Sequence, residues 1–295
     1  MMKIGVVGSI NMDLVVVTDR IPHKGETLIG NELQYNAGGK GSNQAVTIAR
    51  LGGDVVMFGK VGNDDNGRKL TTMMKENGVN TDFIKIEENA NTGLAVITVG
   101  EGDNTIVVLP GANSAVDIDY IESIKKELLT CGLVVLQHEI PLETNEYIIR
   151  LCKENGIKTL LNPAPAATVS EEIIDLVDFL TPNEHEAVLL FENEDVEQIM
   201  MKYPEKLIVT QGEKGISLAV SEEEIVTVPS RKSKVLDTTG AGDTFNGAFV
   251  YAYTSGMPLK EALRFANVAA GLSTEKAGAQ NGMPTKEMVL KELGD

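Results

Sequence analysis

The sequence predicts an α/β fold with a mainly parallel central sheet and a small, mostly antiparallel β-element beside it. Three observations carry this expectation. Apolar runs of strand length alternate with helix-period patterns, the βαβα order of a parallel sheet with helices on both faces. Helical stretches stop at glycines, which terminate helices readily. Two stretches before residue 110 break this rhythm, one of strand-like pieces and one a β-hairpin.

In chain order, Met1 to Gly8 reads as a strand with its apolar centre at Ile4–Val7. Ser42–Leu51 is helical, with Ala45, Ile48 and Ala49 on one face, and Gly52-Gly53 stops it. Val55–Val61 is a strand, and Gly67–Asn77 is a helix ended by Gly78. Leu133–Gln137 is a strand. Glu143–Asn155 is a helix carrying Tyr147, Ile148, Leu151 and Cys152, ended by Gly156. Strands follow at Lys158–Leu161, Phe179–Leu180 and Leu207–Thr210, and helices at Glu184–Phe191, Asp243–Ser255 and Leu259–Lys276. The irregular stretches are Leu14–Tyr35 and a hairpin. The first has strand-like pieces Leu14–Val17 and Thr27–Leu33, separated by Pro22, Lys24 and Gly25. The second pairs Gly93–Val99 with Thr105–Leu109 around Glu101-Gly102-Asp103-Asn104. This β-element has few residues for a core of its own. It is expected to lie over something or to pair with another copy of itself, because open strand edges invite pairing.

The chain has 295 residues, room for one large domain with a smaller appendage, and 42% hydrophobic residues supply its core. The formal charge of −17 would repel a phosphate backbone, and Trp is absent with aromatics at 4%, so nucleic-acid binding is not expected. A polyanionic substrate would therefore need a locally positive site made from helix N-termini, cations and a few lysines. Cys131 and Cys152 form no CxxC pair and suit a reducing cytoplasm as core residues. His23, His138 and His185 lack metal-ligand spacing. Neither a secretion leader nor a membrane span of about 18 apolar residues is expected.

The strongest chemical signal is Asp237-Thr238-Thr239-Gly240-Ala241-Gly242-Asp243-Thr244-Phe245. Small residues lead straight into a helix, so backbone N–H groups from Gly240 to Asp243 can face an anion. Asp243 sits there as a possible base. Near a helix N-terminus it should stay ionised and weakly basic, which suffices for phosphoryl transfer through a loose transition state. A capped Gly-rich turn is the alternative. The second signal, Asn36-Ala37-Gly38-Gly39-Lys40-Gly41-Ser42-Asn43-Gln44-Ala45, is another glycine turn opening a helix, with Lys40 and Asn43 as donors. Its spacing is not that of a Walker loop, and the N-terminal strand lacks GxGxxG, so neither a P-loop nor a dinucleotide site follows. Such a turn binds sugar hydroxyls or phosphates, or simply begins a helix. In Gly8-Ser9-Ile10-Asn11-Met12-Asp13, Asn11 and Asp13 fall on one side of an extended strand and offer donors and acceptors to vicinal hydroxyls. A plain turn is the competing reading.

Together these segments resemble the ribokinases of the PfkB-type carbohydrate kinase family, from Gly5 to Pro284. The resemblance implies a ribokinase-like three-layer sandwich over residues 1–295 as one kinase domain, with a β-sheet lid from segments about 12–36 and 91–110. It implies ATP-dependent phosphorylation of D-ribose at O5, in a cytoplasmic homodimer joined through the lid. Asp243 would be the base, with an anion hole at Gly240, Ala241 and Gly242. Asn11, Met12, Asp13, Gly39, Lys40, Gly41, Ser42, Asn43 and Glu139 would hold the sugar. Asn183 and Glu186 would act beside Mg²⁺ through water, with His185 between them facing solvent. Thr210, Gln211, Gly212, Glu213, Lys214, Gly215 and Asn267 would follow the nucleotide; for Asn267 an exposed helix face is the alternative. Asp237, Thr239, Ser273, Lys276, Gly278 and Gly282 would bind K⁺, although many relatives carry Ser where this chain has Gly282. A deoxyribokinase, fructokinase or nucleoside kinase shares Asp243 and the anion hole, so only the sugar pocket separates these readings.

Overall fold

The computed structural model describes residues 2–192 and 195–294; Met1, where the expected first strand begins, lies outside them. Among the described residues the strands are β1 (Ile4–Val7), β2 (Asn11–Val17), β3 (Glu32–Gly38), β4 (Val55–Gly62), β5 (Asn80–Glu87), β6 (Gly93–Gly100), β7 (Asp103–Leu109), β8 (Leu133–Gln137), β9 (Lys158–Asn162), β10 (Phe179–Leu180), β11 (Ile208–Thr210), β12 (Ile216–Ala219) and β13 (Ile225–Val228). The helices are α1 (Lys40–Arg50), α2 (Asp65–Glu76), α3 (Ile118–Leu128), α4 (Leu142–Glu154), α5 (Glu171–Leu176), α6 (Glu184–Leu190), α7 (Val196–Lys202), α8 (Ala241–Thr254), α9 (Leu259–Ser273), α10 (Ala279–Gly282) and α11 (Lys286–Leu293).

Six strands form the central sheet in the order β10-β9-β8-β1-β4-β5, every neighbouring pair parallel. Both faces are covered, as a parallel sheet requires. Alternate residues of each strand enter two separate apolar clusters. Ile4, Val6, Val55, Met57, Leu133 and Val135 pack with α1, α2, α8 and α9. Val7, Val56, Phe58, Val134 and Leu136 pack with α3, α4, α5, α6 and α7. The period-2 alternation of strand side chains thus produces three layers. β11, β12 and β13 form an antiparallel sheet, tied to β10 and the segment after it by parallel bridges at Leu180–Leu207 and Asn183–Thr210. The expected strand at Leu207–Thr210 therefore lies where parallel pairing gives way to antiparallel pairing.

The remaining four strands form the small sheet, ordered β3-β2-β6-β7. β2 pairs antiparallel with β3 and parallel with β6, and β6 pairs antiparallel with β7. The expected piece at Thr27–Leu33 is displaced: the strand is Glu32–Gly38, and Thr27–Gly30 is not in it. Pairing with β2 decides this, because the register Asn11–Gly38 to Val17–Glu32 continues β3 into the glycine motif. Cys131 and Cys152 are free and buried. No described helix is long and apolar enough to cross a membrane.

Candidate active site

β3 runs into α1 with one residue, Gly39, between them. Gly39 has φ +89°, and a Cβ there would stand 2.8 Å from the Asn11 nitrogen. At Gly41 a Cβ would be 2.7 Å from the Gly8 carbonyl carbon and the Ser9 nitrogen. These contacts press the start of α1 against the turn after β1, an approach that only glycine permits. The Ser42 N–H donates to the Ser9 carbonyl at 2.9 Å, and the Ser9 hydroxyl binds Glu139. Glu139 Oε2 also accepts from the Lys40 N–H at 3.0 Å. Glu139, just past β8, thereby anchors the glycine turn to the C-terminal edge of the central sheet, where open α/β sheets bind ligands.

Two expected sugar ligands point elsewhere. Met12 is in the core, because strand alternation sends it to the opposite face from Asn11 and Asp13. The buried Ser42 hydroxyl bonds back to the Gly38 carbonyl within its own turn. Asn11 and Asp13 do share a face. Asp13 lies against Gly38, where a Cβ would come within 2.2 Å of Asp13 Oδ2.

α8 begins at Ala241 behind Gly240, which has φ +76° and makes the turn into the helix. Asp243, in its first turn, is buried. Asn43 Nδ2 donates to Asp243 Oδ2 at 2.9 Å, and Gln44 Nε2 donates to Oδ1 at 3.1 Å. Two segments 200 positions apart thus meet at one carboxylate. Asn43 is committed to this contact, and its Oδ1 accepts from Gln280 Nε2 at 3.1 Å. The Ala241 N–H donates to the Thr238 carbonyl at 3.1 Å. Of the expected anion hole, the N–H groups of Gly240, Gly242 and Asp243 have no hydrogen-bond partner among the described residues.

Burial dominates the electrostatics. It pushes Asp243 above the usual carboxylate range, against the opposing pull of Lys40, Asn43 and Gln44. This corrects the expectation of an ordinary, weakly basic Asp. The helix N-terminus does not offset full desolvation, so Asp243 is a stronger base than an exposed one. Burial, then Glu139 and Asp243, push Asp13 up to about 7. Burial alone would lower Lys40, yet the carboxylates of Asp243, Glu139 and Glu186 together hold it above the ordinary lysine value. Burial also raises Glu186. The site is an ammonium ringed by carboxylates.

Asn183 and Glu186 form a reciprocal capping box at the start of α6: Asn183 Oδ1 accepts from the Glu186 N–H at 2.8 Å, and Glu186 Oε2 from the Asn183 N–H at 2.9 Å. His185 is exposed between them. Among the described residues no three His, Cys, Asp or Glu side chains converge as metal ligands. The Thr210–Gly215 turn closes through Gln211 N–H to the Gly215 carbonyl at 2.8 Å, and Lys214 pairs with Glu184 at 2.9 Å. Asn267 is half-buried, and its Nδ2 donates to the Val228 and Pro229 carbonyls at 3.2 and 2.7 Å. Its amide nitrogen thus pins the end of β13. Asp237 joins two loops, accepting from the Thr239 N–H at 2.9 Å and the Gly278 N–H at 2.7 Å. Gly282 lies against the Ser273 carbonyl, where a Cβ would stand 2.1 Å from the oxygen. Asp237, Thr239 and Gly278 are therefore joined to one another and Ser273 to Gly282, and the Gly282 N–H, which donates to the Gly278 carbonyl at 3.4 Å, links the two sets; Lys276 lies on the same loop and makes no side-chain hydrogen bond or ion pair among the described residues.

Sequence reasoning missed two buried amides beside the site. Gln44 was visible only as a member of the glycine motif. Asn113, between β7 and α3, accepts from the Ile10 N–H at 2.9 Å and donates to Asn11 Oδ1 at 2.7 Å. This turns the Asn11 amide nitrogen away from Asn113, as a donor. No local signal marks Asn113, since its partners lie about a hundred positions earlier.

Known proteins match this architecture over its length. The pattern of the pfkB family carbohydrate kinases matches residues 1–286. The ribokinase of Lactococcus lactis subsp. lactis is 46% identical, over 99% of this chain and 98% of that protein. The crystal structure of the Thermotoga maritima ribokinase superposes with a TM-score of 0.91 at 35% identity, covering 100% of both chains. The Arabidopsis thaliana ribokinase, solved with ribose and ATP, superposes with a TM-score of 0.90 at 32% identity, over 100% of this chain and 99% of that one. The chain belongs to the pfkB family of carbohydrate kinases.

Proposed function

We propose that this enzyme transfers the γ-phosphoryl group of ATP to O5 of D-ribose. The observation that carries the reading is Asp243: a buried carboxylate in the first turn of α8, beside the unpartnered N–H groups of Gly240 and Gly242, and joined to the glycine turn through Asn43. That combination sets a base next to donors able to hold a transferring phosphoryl group. Asn11 and Asp13 from β2, with Lys40 and Glu139, supply hydroxyl partners for the sugar. The raised basicity of Asp243 suits it to take the O5 proton. The O5 oxygen then bonds to the γ-phosphorus, the bond to the β–γ bridging oxygen breaks, and ADP leaves. The Gly240 and Gly242 N–H groups and Lys40 stabilise the developing charge.

Thr210–Gly215 and Asn267 would flank the nucleotide. Asn183 and Glu186 keep one amide nitrogen and one carboxylate oxygen outside their capping box, which fits water-mediated contact with Mg²⁺; the ion would neutralise phosphate charge. The loops joined by Asp237 fit a K⁺ site of backbone carbonyls, including Ser273, and the ion would steady the anion hole electrostatically. We read residues 1–295 as one cytoplasmic kinase domain with the four-stranded sheet as its lid. Paired residues across that sheet share a face, so Leu33, Tyr35, Val107 and Leu109 lie on the side away from Asp13. All four are about half exposed or more, a surface that suits pairing of two copies.

The test is coupled ADP release with D-ribose, 2-deoxyribose and fructose, with and without K⁺. D-ribose should have the highest kcat/KM, and Asp243→Asn should lose about 10²–10⁴-fold in kcat. A preference for 2-deoxyribose overturns the substrate, and equal turnover in Asp243→Asn overturns the base.

A further inference from the structure

Gln44 is fully buried and joined at both ends of its amide. Its Nε2 donates to Asp243 Oδ1 at 3.1 Å and to Asn162 Oδ1 at 3.3 Å. Its Oε1 accepts from Gln137 Nε2 at 2.7 Å. The sense of this chain is dictated from one end. Asn162, at the end of β9, donates its Nδ2 to the backbone carbonyl of Thr181 at 3.1 Å. A carbonyl can only accept, so Asn162 must turn its own oxygen toward Gln44. Gln44 must answer with its nitrogen, and that same nitrogen faces Asp243. Thr181 opens the segment Thr181-Pro182-Asn183, on the side assigned to the nucleotide.

We propose that Gln44 is a positioning residue for Asp243, with its amide oriented by the Thr181 carbonyl through Asn162. This rests on the reading of Asp243 as the base. Gln44 offers Asp243 Oδ1 an N–H and never an acceptor, so a proton on that oxygen would lack a partner there. Asn43 does the same for Oδ2, its amide being oriented by Gln280. Both contacts favour the ionised carboxylate and lock its rotamer, leaving a lone pair on each oxygen for the substrate proton. The other charged groups facing Asp243 are Lys40 on α1, Glu139 after β8, Asp13 on β2 and Glu186 on α6. Lys40 favours ionisation and the carboxylates oppose it. The amides therefore favour the deprotonated form, against burial and the like charges around it.

The experiment compares kcat against pH, at saturating sugar and ATP, for the wild type, Gln44→Met, Asn162→Ser and Asp243→Asn. Gln44→Met should lower kcat roughly 10–100-fold and move the acid limb of kcat up by about one pH unit, the equivalent of one lost hydrogen bond to an ionised group. KM for the sugar should change less than about threefold. Asn162→Ser, which removes the orienting partner without touching Asp243, should move the limb in the same direction by less; it also serves if Gln44→Met fails to fold. A folded Gln44→Met or Asn162→Ser protein with the wild-type acid limb overturns the proposal, whatever its kcat. Full turnover in Asp243→Asn instead overturns the base assignment, so the two failures are distinguishable.

Discussion

Replacing Asp13 by Asn should stabilise the unliganded protein while impairing it. Asp13 moves from an ordinary value of 3.8 to about 7 on folding, through burial first and then the nearby Glu139 and Asp243. A carboxyl raised on folding holds its proton more tightly in the native state. Below about pH 4 both states are protonated and the group costs nothing. As pH rises toward 7 the unfolded chain releases the proton and the folded one keeps it, so stability falls; above 7 the loss is complete. A shift of about 3 units at 1.36 kcal/mol each sets a ceiling of about 4 kcal/mol, and roughly 2–4 kcal/mol is expected. Asn has nearly the same shape and no charge, so it escapes this penalty. Urea unfolding from pH 4 to 8 should show the gap between the two proteins narrowing steadily toward the acid end, with Asp13→Asn most favoured at the alkaline end. Sugar KM should rise, because the anionic acceptor is gone. Parallel stability curves across that range would refute the reasoning. The opposed signs are those of a group kept for binding at a cost to the fold.

Gly41→Ala forces a methyl against backbone at 2.7 Å, so melting should show a loss of roughly 1–3 kcal/mol, and sugar KM should rise; an unchanged melt would mean that α1 can shift freely. Gly282→Ser, which would supply a side-chain hydroxyl beside these loops, should destabilise by a similar roughly 1–3 kcal/mol without strengthening K⁺ activation, because its Cβ would collide with the Ser273 carbonyl. Greater K⁺ activation with an intact melting temperature would contradict that geometry. Val107→Asp places a charge on the outer face of the small sheet, where Val107 is 62% exposed, and should convert dimers to monomers in sedimentation. A wild-type monomer, or an unchanged dimer, removes this face as the interface.

Local chemistry made much of this protein readable from its sequence. The near-continuous apolar runs in Ile4–Val7, Val55–Gly62 and Leu133–Gln137 announce strands buried on both faces, because a parallel sheet must cover both. The two glycine-led helix starts announce where backbone can meet a ligand. Less regular elements stayed hidden. Asn80–Glu87 has mixed burial and no clean period, and Glu32–Gly38 became a strand only by pairing with Asn11–Val17. Sequence also could not say what the polar side chains at the site touch. Gln44 and Asn113 find their partners across 93 to 199 positions, and Asn43 spends its amide on Asp243 rather than standing free. The basicity of Asp243 and Asp13 belongs to the same class. A carboxyl's proton affinity depends on how much water surrounds it and which charges lie within a few ångströms, and both are set only when distant segments pack together.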